Sequence, residues 1–175
     1  MNLSFGPEIC GDLMAADYRE WLVTNGLGGY ACGTVSGCLT RSYHGLLITA
    51  RHPPVDRFLL LSKLEEAVDT ADQSFALSTN CWADGRVEPR GHRLIESFAL
   101  EGAVPRWRYR LADALLEKRL WMEPGSPTTY ISYRLLEASA PLRLSLAALV
   151  HPRSHHGGAG ADPLQTLPIR GGVRV

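Results

Sequence analysis

The 175-residue sequence reads as an all-β chain, an antiparallel β-sandwich. Three observations carry this. Short apolar or alternating segments of strand length recur, turn-forming residues separate them, and the intervals leave no room for the crossover helices a parallel sheet needs.

The first distinctive stretch, residues 24–48, is TNGLGGYACGTVSGCLTRSYHGLLI, whose density of glycine reads as a loop. Strands are then expected over Gly45 to Ala50 and Arg57 to Leu64, on either side of Pro53-Pro54. Ser62 to Asp72 offers the one helical pattern, and Ala112 to Arg119 is ambiguous because Ala, Leu, Glu and Lys favour helix. Further strands are expected over Phe75 to Ser78, Arg93 to Leu100, Arg106 to Leu111, Leu115 to Met122, Thr128 to Leu136 and Leu142 to Val150. Alternation supplies their faces: Trp107, Tyr109 and Leu111 oppose Arg106, Arg108 and Arg110. In the same way Thr129, Ile131, Tyr133 and Leu135 form the core side of one segment, and Leu142, Leu144 and Leu146 that of the next. Turns fall at Asp84-Gly85, Glu101-Gly102, Pro124 to Pro127 and Ala140-Pro141. His155 to Pro163 reads as a glycine-rich connection, and Gly171 to Val175 as the start of a strand that the chain end cuts off. The expectation is a single domain that is a piece of a longer protein.

Composition narrows the partners. A hydrophobic fraction of 45% and a charged fraction of 21% are those of an ordinary globular domain. With 18 basic and 18 acidic residues, no electrostatic footprint for nucleic acid or an anionic membrane is present. The N-terminus lacks a basic stretch followed by an apolar run, so a cytoplasmic protein is expected. Cys10, Cys32, Cys38 and Cys81 lack framework spacing and read as reduced, mostly buried thiols.

Motif chemistry excludes more than it assigns. Gly26 to Ala31 has the G-x-G-x-x-A spacing of a dinucleotide loop, but more glycines follow where a helix should receive the pyrophosphate. Gly28 to Gly33 has P-loop spacing, with Thr34 in the lysine's place. Ser36 is not central between Gly33 and Gly37, so there is no nucleophile elbow. The histidines offer no zinc spacing, and no cofactor or metal is expected. Glu20, Glu65, Glu66, Asp84 and Glu117 are carboxylates without a spacing that singles out a catalytic pair.

Read as one string, the residues resemble a known family. Glu20 to Tyr30 (EWLVTNGLGGY), Gly33 to Gly37, Thr40-Arg41 and Tyr43 to Leu47 (YHGLL) are followed by Leu59 to Glu66, Ser78 to Asn80, Glu96 to Phe98, Leu116 to Arg119 and Tyr133 to Leu136. Together they resemble the N-terminal domain of the bacterial and archaeal glycogen debranching enzymes, best matched over residues 17–155. The resemblance implies a supersandwich-like domain that carries no catalytic residue and packs on a C-terminal catalytic (α/α)6 barrel absent from this chain. It implies work on glycogen or a related α-glucan, in which an amylo-α-1,6-glucosidase, a glycoside hydrolase of glycogen catabolism, cleaves branch linkages. On this reading Asn25, Arg41, Tyr43 and His44, with Trp82, His155 and His156, are candidates for the substrate groove or the interdomain face. Gly26, Gly28, Gly29, Gly33 and Gly37 would let the loop turn and approach another surface. Ser42 departs from the pattern where a second arginine is expected, and Cys32 and Cys38 where small or aliphatic residues are usual. A stand-alone α-glucan-binding sandwich is the alternative, and a homodimer would cover an exposed docking face.

Overall fold

The computed structural model describes residues 3–158 and 164–175, so the part of the glycine-rich connection over 159–163 lies outside the described residues. Two antiparallel sheets pack face to face. The five-stranded sheet runs β1 (Leu3–Phe5), β9 (Ile95–Glu101), β10 (Val104–Leu111), β11 (Ala114–Met122), β12 (Thr129–Glu137). The six-stranded sheet runs β13 (Arg143–Ser154), β5 (Val55–Asp69), β4 (Gly45–His52), β3 (Tyr30–Thr34), β2 (Glu20–Thr24), with β6 (Ser74–Ala76) also paired to β5. Two hairpins stand apart, β7 (Thr79–Cys81) with β8 (Val87–Arg90), and β14 (Leu167–Ile169) with β15 (Gly172–Arg174). Two short helices, α1 (Pro7–Cys10) and α2 (Leu13–Asp17), precede β2.

The sandwich matches the expectation, and three local readings are corrected. The helical pattern in Ser62 to Asp72 is overridden: β5 runs as strand to Asp69, because its backbone is paired by β13 on one side and by β4 and β6 on the other. Within the glycine-dense run, Tyr30–Thr34 is a strand, β3, paired with β2 in register from Glu20 opposite Thr34 to Thr24 opposite Tyr30, while 25–29 and 35–44 remain turn and loop. Finally, Cys38 and Cys81 are joined in a disulfide, while Cys10 and Cys32 are free. Sequence spacing hid that pair because 43 residues and a change of strand separate the two.

Alternation decides the core where it was read. Trp107, Tyr109 and Leu111 are buried on β10, and Ile131 and Tyr133 of β12 pack against the same cluster. Leu135 and Leu146 depart from it, since both are exposed towards the ends of their strands. Trp21 meets Trp107 edge to face across the sheets at 5.4 Å. Each indole N–H is satisfied by backbone at the end of β3, Trp21 by Thr34 O at 3.1 Å and Trp107 by Val35 O at 3.0 Å.

One polar contact crosses the core. Glu66 shares the inner face of β5 with Leu64 and Val68, and Lys118 shares that of β11 with Leu116 and Leu120. Lys118 Nζ lies 2.6 Å from Glu66 Oε1, and the Tyr133 hydroxyl donates to the same carboxylate. Burial and this neighbour hold the Tyr133 phenol far above its ordinary range, so it stays a donor. Both charges are more than nine-tenths buried. Removing one partner strands the other, so Lys118→Met should cost roughly 3–5 kcal/mol, while Glu66→Leu combined with Lys118→Met recovers most of it. Urea unfolding of the two single variants and the double variant measures the coupling.

Candidate functional site

The β2–β3 connection positions the site. Asn25 is buried, and its Oδ1 accepts from Leu27 N–H at 2.9 Å and Gly29 N–H at 3.1 Å. Its Nδ2 donates to Ser126 O at 3.0 Å, and its carbonyl accepts from Gly125 N–H at 2.8 Å. The side chain thus forms the tight turn and ties it to the β11–β12 connection. Gly28 has φ +87°, and a Cβ there would run into the Pro54 carbonyl, so this turn requires glycine twice over. The Gly28 carbonyl accepts from Arg57 Nε at 2.7 Å.

Beside this turn, on the outer face of the six-stranded sheet, four aromatic rings converge. Tyr43 stacks on His155 at 4.5 Å, with the planes 22° apart, and meets His156 edge-on at 5.7 Å. The Tyr30 hydroxyl sits between Tyr43 O at 3.1 Å and His155 Nε2 at 2.6 Å. Arg153 clamps the same region: its guanidinium donates to the Ser42 carbonyl and to those of His155 and Gly157. Together with Leu22, Thr24, Gly26, Gly28, Gly29 and Arg57, Tyr30, Tyr43 and His155 line an open groove of about 550 Å³. Burial pushes the Tyr30 phenol up to about 12. Burial, then His156, Arg57 and Arg153, hold His155 below its ordinary value, which favours its neutral imidazole.

Arg41 and His44 belong to the next stretch of the same edge. Glu20 Oε1 takes Arg41 Nε at 2.7 Å and His44 Nε2 at 3.2 Å. Arg41 is 65% exposed at its side chain and His44 2%. With Leu13, Met14, Asp17, Tyr18 and Thr40, Glu20 and Arg41 line a second groove of about 530 Å³. Glu20, Leu22 and Thr24 are the outward positions of β2, so the two grooves adjoin along one strand.

The structure therefore brings Tyr43, His155 and His156 together across more than a hundred residues, with Arg41 and His44 adjacent through Glu20. Asn25 serves the backbone beneath them. Trp82 stands elsewhere, exposed on the β7–β8 hairpin, with Nε1 donating to Glu88 O at 2.8 Å and Arg86 over its ring at 5.7 Å. Gly33 lies within β3 against the Trp21 indole, and Gly37 turns the chain at φ +82° just before Cys38. Tyr30, Arg57 and Arg153 are site residues that sequence reasoning missed. The signal was present in Tyr30 at the end of the matched EWLVTNGLGGY string, whereas neither arginine had any local mark. Among the described residues the one group of three metal-type ligands that comes together is Asp17, Cys38 and Cys81, whose two sulfurs are bonded to each other.

Two outcomes are expected from this geometry. Asn25→Ala orphans buried N–H groups in the turn and should cost roughly 2–4 kcal/mol of unfolding free energy, measured by urea denaturation. Burial lowers His44, His92 and His155 from the ordinary 6.5. The unfolded chain then binds more protons, so their contribution is complete above about pH 6.5 and is lost as pH falls through the lowered values. Urea midpoints at pH 7.5 and pH 5 should differ, and His44→Gln with His92→Gln should shrink the difference.

A family model described as glycogen debranching enzyme N terminal matches residues 19–170. No curated protein and no solved structure matches the chain. The matched span contains the whole outer-face cluster, from Glu20 and Tyr30 through Tyr43 and Arg57 to His156, and covers most of the sequence, so the chain belongs to the glycogen debranching enzyme N-terminal family.

Proposed function

We propose that this chain is the non-catalytic N-terminal part of an enzyme that hydrolyses α-1,6 branch linkages of glycogen or a related α-glucan. It packs on a separate catalytic (α/α)6 barrel and helps to wall the glucan groove. The observation that carries the reading is the Tyr30, Tyr43, His155 and His156 cluster beside an open groove, because flat aromatic rings flanked by guanidinium groups suit the apolar face and the hydroxyls of a pyranose. Membership of the glycogen debranching enzyme N-terminal family supports an α-glucan as the substrate class. Apolar side chains exposed on the sheet edge and the last hairpin, among them Leu146, Leu149, Ile169 and Val173, support work beside another domain.

One observation favours the second reading, a stand-alone α-glucan-binding module. Trp121 and Tyr130, paired across β11 and β12, are both exposed and stack at 5.5 Å with planes 17° apart on the opposite sheet. Such modules bind through exposed aromatics of this kind.

Affinity electrophoresis in glycogen-containing gels separates the readings. On the first, the chain is retarded, Tyr43→Ala weakens retardation about tenfold as loss of a central aromatic contact does, and Trp121→Ala leaves it unchanged. The reverse pattern selects the module. The purified chain should release no glucose from a branched limit dextrin, and measurable release would refute the non-catalytic assignment.

A further inference from the structure

The Cys38–Cys81 bond joins two pieces of backbone that no hydrogen bond connects among the described residues. One is the segment between β3 and β4 that carries Arg41, Tyr43 and His44. The other is the β7–β8 hairpin, whose base is closed by Gly91 N–H on Ser78 O and His92 N–H on Thr79 Oγ1, and which β5 holds through Lys63 Nζ on Thr79 O and Asn80 Oδ1 and through Asn80 Nδ2 on Glu65 Oε1. Upstream of Cys38 the segment is well held, by Thr34 Oγ1 to Cys38 O at 2.8 Å and Cys38 N–H to Ser36 Oγ at 3.0 Å. Downstream, Leu39, Thr40 and Arg41 are exposed, and the Arg41–Glu20 pair is their one side-chain tie among the described residues. Past Arg41 the chain is held again, by Arg153 on the Ser42 carbonyl, by the Tyr30 hydroxyl at Tyr43 O and by the Tyr43–His155 stack, so the disulfide is the last covalent or side-chain anchor before the exposed Leu39–Arg41 stretch.

The two sulfurs are not equivalent. Cys81 is exposed and Cys38 is 1% exposed, so an incoming thiolate reaches the Cys81 side. The Asp17 carboxylate, with Oδ1 accepting from the Ser36 hydroxyl, lies within 4.8 Å of both sulfurs, and the proton for the departing Cys38 thiolate comes from water. The free thiols do not compete, since burial pushes both Cys10 and Cys32 up to about 11.

We propose that Cys38–Cys81 is a thiol–disulfide exchange site for a dithiol reductant, and that opening it loosens the Leu39–Arg41 stretch, whose Thr40 and Arg41 line the second groove. A thiolate of the reductant attacks Cys81 Sγ, the S–S bond breaks, and its electron pair leaves on Cys38 Sγ, which takes a proton. The second thiol of the reductant then attacks the mixed disulfide and releases Cys81. The protein gains two electrons and two protons, and the reductant becomes a disulfide. Oxidation by a small disulfide reverses both steps. The effect of release on glucan binding rests on the function proposed above, whereas the exchange site itself does not.

Trypsin cleavage after Arg41 reads the release without any glucan. The 175-residue chain is compared oxidised, and reduced with dithiothreitol in the presence of a chelator, with thiols counted. Cleavage after Arg41 should rise about tenfold or more on reduction while cleavage after Arg51 holds steady, as local opening without global unfolding requires. Cys81→Ser should show the fast rate without reductant, and oxidised glutathione should restore the slow rate in the wild type. Full reduction with unchanged Arg41 cleavage overturns the proposal. So does loss of the near-ultraviolet circular dichroism of the Trp21–Trp107 core, which would make the bond a staple of the fold. So does uptake of one zinc by the reduced chain with Arg41 still protected, which would make Asp17, Cys38 and Cys81 a metal site. Retention in glycogen gels is then measured on both forms. Arg41 release with unchanged retention leaves the exchange site standing and counts against the groove, while release with loss of retention supports both.

Discussion

The contact on which the sandwich depends is the ion pair between its sheets. Two apolar faces can slide past one another at little cost, because dispersion and burial have no direction. Glu66 and Lys118 remove that freedom. Each is the charged member of an otherwise apolar inner face, and together with Tyr133 they are satisfied in a single alignment of β5, β11 and β12. A one-residue slip of either strand would turn its charge to the outer face, and a two-residue slip would part the charges by roughly 7 Å. The pair is a selector of register more than a source of stability, since desolvation cancels much of its attraction.

Register then fixes the outer face. β5 holds Glu66 inward and, nearer its start, Arg57 outward, where Nε takes the Gly28 carbonyl and the backbone carbonyl accepts from His155 N–H at 2.9 Å. The strand that locks the two sheets is thus also the strand against which the β2–β3 turn and the end of β13 are placed. Trp107 adds a second link from the far sheet, since its N–H bonds Val35 O at the base of the segment leading to Tyr43. The groove is made of exposed side chains, but its backbone is held from the core.

The sequence was most legible where one face of a strand meets water and the other the core. Trp107, Tyr109 and Leu111 alternate with arginines that pair with Glu96, Glu101 and Glu117, so hydrophobic period and burial agree. It was least legible in β5, where Lys63, Glu65 and Glu66 look helical. Their placement is settled by strands that lie far away in sequence. The glycine-dense run misled for a related reason: Ala31 and Gly33 of β3 are buried opposite Tyr30 and Cys32 as a strand requires, but small residues and glycines carry too little hydrophobic contrast to show the period. Family resemblance could not say which side chains face out. The meeting of Tyr43 with His155, like the pairing of Cys38 with Cys81, is a product of topology that no local signal encodes.

The directions of Arg41, Tyr43 and His44 show how one carboxylate divides a sequence motif between inside and outside. Arg41 and Tyr43 face solvent and His44 faces the interior, yet Arg41 and His44 share Glu20 Oε1. Burial keeps His44 neutral, which leaves most of the Glu20 charge for Arg41 and holds the guanidinium over the groove beside Tyr18. Protonating His44 would draw the carboxylate inward and loosen Arg41, so the buried ring sets how firmly the exposed cation is held. A motif residue with no access to a ligand can in this way govern one that has it.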